Sequence, residues 1–247
     1  PPPGPSRSPG GAGLGGAALP DSPRCPETRS AVAVILDAAR IYGRDLLVVP
    51  TGAMTTVSEV CRRDPALMDS IGSLTFMGGA LTVPGNVNPA VEANIAQDPE
   101  SADMLLRSGV HTTMVGLDVT HQTVLTRRAT ASWRALGTPA GAFLADMVDY
   151  YIGAYERSQP ELGGCGLHDP LAVAAAIDPT LVTTLGVNLQ VDLDGPFRGR
   201  TIGDRLRLRD PDKTTRVAGG VDADRVVTRF RKRPTGPPAR RRGGARG

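Results

Sequence analysis

An α/β domain with an open, mainly parallel sheet and flanking helices is the fold class this sequence predicts. Three observations carry it. Between residues 27 and 120, short apolar runs alternate with stretches of helical periodicity. Those runs are continuously apolar, as strands covered on both faces are, and do not alternate with polar residues. A polar cluster stands directly after each run, where the carboxyl ends of parallel strands hold ligands.

The elements follow in order. "ETRSAVAVILDAARIYG" has apolar positions Val32, Val34, Ile35, Ala38 and Ala39 at roughly helical spacing and stops on Gly43. "DLLVVP" (45–50) reads as a buried parallel strand. "MTTVSEVCRRDPAL" begins as a helix and breaks before Pro65. "IGSLTFMGG" (71–79) is a second strand. "DPESADMLLRSG" (98–109) is a helix with Asp98 as N-cap and Pro99 at its first position. "HTTMVGLDVT" (111–120) is read as a third strand. Helices over 127–136 and 139–158 follow, then the glycine-rich turn "ELGGCGLHDP" and a helix in "PLAVAAAID". The stretch "VNLQVDLDGPFRGRTIGDRLRL" alternates apolar and polar residues. It predicts a small antiparallel element near the C-terminus.

Composition bounds the rest. A chain of 247 residues can bury a sizeable core. Its prolines and glycines gather at the ends, which divides it into an irregular segment (1–26), an α/β domain (27–230) and a basic, disordered tail (231–247). The tail, "RKRPTGPPARRRGGARG", has no acid, and without it the chain is net negative. No aromatic residue interleaves its arginines, so nucleic acid is not an expected partner. The three cysteines form no CxxC pair, which argues against a disulfide framework or a zinc site. No apolar run is long enough to span a membrane. A cytoplasmic protein with no membrane partner is the expectation.

Two groups of residues could do chemistry. Asn86, Glu92 and Asn94 crowd into "GNVNPAVEAN" just after the second strand. Carboxylate and amide groups there suit the hydroxyls of a sugar better than an apolar ligand or a phosphate. The other group is His168-Asp169 in "GLHDP". Asp169 before Pro170 is equally a helix N-cap, and both readings stand. A Cys165–His168 nucleophile pair is conceivable, but at three residues' separation on a turn the two side chains need not meet. No P-loop, GxSxG or strand-linked GxGxxG occurs.

Taken together, "VVPTGAMTT", "FMGGALTVPGNVNPAVEANIAQDPESA", "TMVGLDVTHQ" and "LHDPLAVAAAIDP" resemble the inosine-uridine-preferring nucleoside hydrolase family, in its order and near its spacing. "GLGGAALP" and "RGRTIGD" look like further family segments. The resemblance implies a Rossmann-like nucleoside hydrolase fold that splits the N-glycosidic bond of ribonucleosides with water, using bound Ca2+. It implies roles for particular positions. The Thr51 carbonyl and the Asp169 carboxylate would bind calcium. Asn86, Glu92 and Asn94 would grip the ribose, with Met77 lining the sugar site. His168 would protonate the departing base, and Tyr155 would contact it, though Tyr151 and Tyr155 at helical spacing also suit a core. Partners would be a nucleoside substrate and further copies of the chain, as homodimer or homotetramer.

One family feature is absent. The aspartate cluster DxDxGxDD, which supplies most calcium ligands and the general base, does not occur in this sequence. The expectations are therefore an incomplete calcium site, weak hydrolysis by this polypeptide, and a sheet short of one member with apolar surface exposed. A non-catalytic nucleoside- or riboside-binding paralogue or fragment is the alternative.

Overall fold

In the computed structural model residues 15–16 and 25–232 are described. The expected irregular segment 1–26 lies almost wholly outside them. Helix α1 (Ala31–Tyr42) begins where the Ser30 side chain accepts from the Ala33 N–H, and it ends on Gly43 at φ 49°. Strand β1 (Leu47–Val48) follows, then α2 (Thr55–Arg63) and α3 (Pro65–Asp69). The break before Pro65 is a shared boundary. Asp64 closes α2 and caps α3, its carboxylate accepting from the Leu67 N–H. Strand β2 (Ser73–Met77) leads to the short α4 (Ala93–Gln97), and α5 (Pro99–Leu106) starts with Asp98 as N-cap and Pro99 in its first turn.

The expected strand over 111–120 is corrected. Strand β3 (Thr112–Val115) stops at Gly116, and residues Leu117–Thr120 form helix α6. Tertiary contacts turn the chain. The Leu117 N–H donates to the Gly79 carbonyl at 2.9 Å. A Cβ at Gly116 would lie 2.6 Å from that same carbonyl oxygen, so only glycine allows the approach. Asp118, in the first turn of α6, accepts from the Leu81 and Thr82 N–H groups at 3.0 and 2.7 Å. It thereby ties the exits of β2 and β3 together.

Strand β4 (Val124–Leu125) precedes α7 (Arg127–Arg134) and the long α8 (Pro139–Ser158). Then come β5 (Cys165–Gly166), α9 (His168–Ile177), β6 (Val182–Val187), β7 (Leu189–Val191), β8 (Thr201–Gly203), β9 (Thr215–Val221) and α10 (Ala223–Lys232). Helix α10 runs past the expected tail boundary at 230. The main sheet has the order β1-β2-β3-β9-β6, parallel except for β6, which is antiparallel to β9. Pairs β7/β8 and β4/β5 form two small antiparallel sheets, the first of them the element expected near the C-terminus.

Three apolar layers hold this together. Leu74, Phe76, Met114 and Val217 face α1, α2 and α5 on one side of the sheet. Met77, Val115 and Ala218 face Leu171, Ala172 and Ala175 of α9 on the other. A third cluster joins α7 and α8 to α10 around Trp133, whose indole N–H donates to the Arg231 carbonyl at 3.2 Å and whose ring meets Phe230 edge-on.

Strand β1 departs from its sequence. "LLVV" reads as a strand buried on both faces, yet β1 is an edge of the sheet and Leu47 is 41% exposed. Ile41 and Tyr42 on one flank and Val173 and Ile177 on the other are also exposed. Between α9 and α10 an apolar groove reaches from there to Thr51 and Asp169. Exposed apolar side chains therefore line this edge among the described residues.

Candidate active site

The carboxyl ends of β1 and β2 open into a cavity of about 620 Å³. Its lining brings together Thr51, Met77, Asn86, Glu92, Asn94, His168 and Asp169, every site residue expected from the sequence except Tyr155. They arrive on different elements: Thr51 after β1, Met77 at the end of β2, the Asn/Glu group around the start of α4, and His168-Asp169 opening α9.

Glu92 is 2% exposed. It is the N-cap of α4, and its carboxylate accepts from the Gly79, Asn94 and Ile95 N–H groups at 3.0, 3.0 and 3.2 Å. Burial raises its pKa against the pull of those three donors, and the Asp169 charge raises it further. Asn94 donates through Nδ2 to the Met77 carbonyl at 3.1 Å and to the Thr51 carbonyl at 3.5 Å. Those bonds orient its amide and leave Oδ1 to accept. Asn86 Oδ1 takes the Ala93 N–H at 2.9 Å, so its NH2 group remains available to donate. Sequence periodicity reads Glu92 and Asn94 as neighbours on one side of an extended segment. The structure joins them through a helix start.

His168 sits in a chain of hydroxyl groups. Its Nδ1 lies 2.7 Å from Thr120 Oγ1, and its Nε2 lies 2.5 Å from Tyr155 Oη. Tyr155 Oη in turn is 3.4 Å from Tyr151 Oη. Burial pushes the His168 pKa down to about 4, with the nearby His121 ring adding to the effect. Near neutral pH the imidazole is therefore uncharged, one ring nitrogen donating and the other accepting. Burial also raises the Tyr155 pKa, so its hydroxyl stays protonated. Tyr155 does not line the cavity. The aromatics that do are Tyr150 and Tyr151. Thr120 was invisible from sequence because the segment around it reads as strand. His121 Nε2, close by, is buried without a hydrogen-bond partner.

Asp169 has no hydrogen bond or ion pair among the described residues, and burial raises its pKa. With the Thr51 carbonyl it offers calcium two protein oxygens, against the ~6–8 the ion takes. Among the described residues no three His, Cys, Asp or Glu side chains converge as a metal site. Thr51 and Asp169 do not by themselves complete a calcium site among the described residues.

The pattern of the family described as inosine-uridine preferring nucleoside hydrolase matches residues 3–228. The chain belongs to that family. A purine-preferring ribonucleoside hydrolase from Gardnerella vaginalis has a solved structure 58% identical to it, with a TM-score of 0.87 over 90% of this chain and 70% of that one. The inosine-uridine preferring nucleoside hydrolase of Leishmania major is 35% identical over 80% of this chain. The pyrimidine-specific ribonucleoside hydrolase RihA of Shigella boydii is 33% identical over 87% of it. The chain spans 62% of the length of the Leishmania protein and 69% of that of RihA. Membership of the nucleoside hydrolase family accounts for the order of the motifs. Among the described residues no helix is long and apolar enough to cross a membrane.

Proposed function

We propose that the protein acts on the N-glycosidic bond of ribonucleosides, and that its described residues form the sugar- and base-binding side of the site. The observation that carries this is the single cavity in which Asn86, Glu92 and Asn94 face His168 and Asp169. Two amides and a buried carboxylate can divide the donors and acceptors of vicinal ribose hydroxyls. As the bond to the base breaks, positive charge grows on the sugar, and the carboxylates of Glu92 and Asp169 favour it. The departing base gains a proton. With His168 held neutral, the group that delivers it is the Tyr151 hydroxyl, which Tyr155 re-protonates; His168 passes its Nε2 proton to Tyr155 through their 2.5 Å contact as it takes up a solvent proton at Nδ1, so the imidazole ends neutral. Tyr151 Oη stands between Tyr155 and the cavity. Support for purine bases comes from the Gardnerella relative, a purine-preferring ribonucleoside hydrolase. The reading extends to ribonucleoside catabolism and base salvage by a cytoplasmic homodimer or homotetramer.

Calcium belongs to this proposal as the family's ion, supplying positive charge to bind hydroxyls and activate water when bound. Because Thr51 and Asp169 are the only protein oxygens expected for it here, the 247-residue polypeptide by itself should bind nucleosides yet hydrolyse them slowly. Loss of a general base alone costs ~10²–10⁴ in rate. Calorimetry with inosine and uridine, with and without Ca2+, paired with a ribose-release assay, tests both halves. Fast, calcium-dependent ribose release would refute the impairment. Absence of nucleoside binding would refute the site.

A further inference from the structure

A second cavity, of about 280 Å³, lies at the opposite end of the sheet. It opens where β2, β3 and β9 begin, and the nucleoside site makes no use of it. Its lining includes Asp69, Ser73, His111, Thr113, Thr214 and Arg216.

The residue types there are out of place for a parallel sheet. Thr113 pairs in register with Thr75 on one side and Arg216 on the other. Register partners, and residues two apart along a strand, share a face. Ser73, Thr113 and Arg216 therefore stand on the face that Met77, Val115 and Ala218 present to α9 farther along. Strands covered on both faces are apolar throughout. This end of the face is uncovered and instead hydroxylic and cationic, with Ser73 and Thr113 half-buried and Arg216 exposed, and it borders a cavity.

Two of its groups lack partners. Ser73 Oγ is buried without a hydrogen bond, a destabilising arrangement that a native site retains when something else satisfies it. The Arg216 guanidinium makes no ion pair or side-chain hydrogen bond among the described residues; Arg216 is exposed, so the group is solvated and open to an incoming anion. Asp69 is the opposing charge. Its Oδ1 is occupied by the His111 backbone N–H at 2.8 Å and by His111 Nδ1 at 2.7 Å. That leaves the guanidinium, the Ser73 and Thr113 hydroxyls and His111 Nε2 to meet a ligand.

We propose that this cavity is a second ligand site, which binds a phosphate group, either free or as a small monoester. A guanidinium gives a phosphate two parallel N–H donors, and hydroxyls complete its shell. The site is distinct from the nucleoside cavity and does not depend on the function proposed for it.

The test titrates inorganic phosphate and ribose 5-phosphate separately into the full 247-residue chain, followed by calorimetry or by the His111 ring resonances. Saturable binding is expected for at least one of them, and the tighter of the two identifies the source of the phosphate. Arg216→Gln should raise the dissociation constant about 10- to 100-fold, the range for a lost charge-assisted hydrogen bond. Ser73→Ala should raise it several-fold, and Asp69→Asn should lower it. Inosine binding and the melting temperature of Arg216→Gln should match those of the parent chain. No saturable binding of either probe, or a dissociation constant unmoved by both Arg216→Gln and Ser73→Ala, overturns the proposal.

Discussion

Asn94 and His168 show how single side chains set the character of the nucleoside cavity. Asn94 is fixed by its bonds to the Met77 and Thr51 carbonyls, so its amide meets a ligand already oriented. Asn94→Ala should weaken nucleoside binding by about tenfold, the equivalent of one or two hydrogen bonds, with little change in melting temperature. Calorimetry beside a thermal melt checks both. His168 makes a prediction about acid. Its folded pKa is about 4, whereas an unfolded histidine titrates near ~6.5. Between those values unfolding takes up a proton, so the stability His168 contributes is complete above ~6.5 and drains away as pH falls towards 4. By pH ~5 the loss is about 2 kcal/mol. Denaturant unfolding of His168→Gln against the parent chain should show a flatter stability–pH curve in that window. Identical slopes would exclude a buried neutral imidazole.

At the scale of elements, the crossing of the β2 and β3 exits organises the site. Gly79 has φ 86°, donates its N–H to Glu92 and offers its carbonyl to Leu117. A Cβ there would fall 2.8 Å from Met114 Sδ and 2.9 Å from Thr201 Oγ1. Gly79→Ala should therefore cost about 1–3 kcal/mol through strain and overpacking. It should also weaken nucleoside binding, because Glu92 moves with the loop; a variant that melts lower but binds normally would separate the two. Elements set by local signals were legible beforehand. Asp98-Pro99 announced the start of α5, and Gly43 the end of α1. The Asn/Glu group, His168 and Asp169 could be placed because each follows a recognisable strand or opens a recognisable helix. What depends on distant partners was not legible. "TRVAGGV" holds two glycines and an arginine, yet it becomes β9 because β3 and β6 flank it. Residues 117–120 carry strand-like apolar character, and contact with Gly79 makes them helical. Thr120 joins His168 only through that folding.

Over the whole molecule, the open edge at β1 is the weak side. Exposed apolar residues on both of its flanks, and a strand edge that no described residue pairs, form a template for other chains. Leu47→Lys should reduce concentration-dependent association of the 247-residue polypeptide, as light scattering across a dilution series would show. An association curve unchanged by the substitution would place the contact elsewhere.

The helix that walls the groove beside this edge has its own optical reporter. Trp133 is the only tryptophan in the sequence, and it is buried between the α7/α8 pair and the end of α10. Its indole N–H bonds to the carbonyl of Arg231, and its ring rests against Phe230. Intrinsic fluorescence therefore senses one event above others: whether the last helix is seated. A red shift in emission would mark α10 leaving its place, and with it Arg229 and Phe230, which wall the apolar groove leading to Asp169.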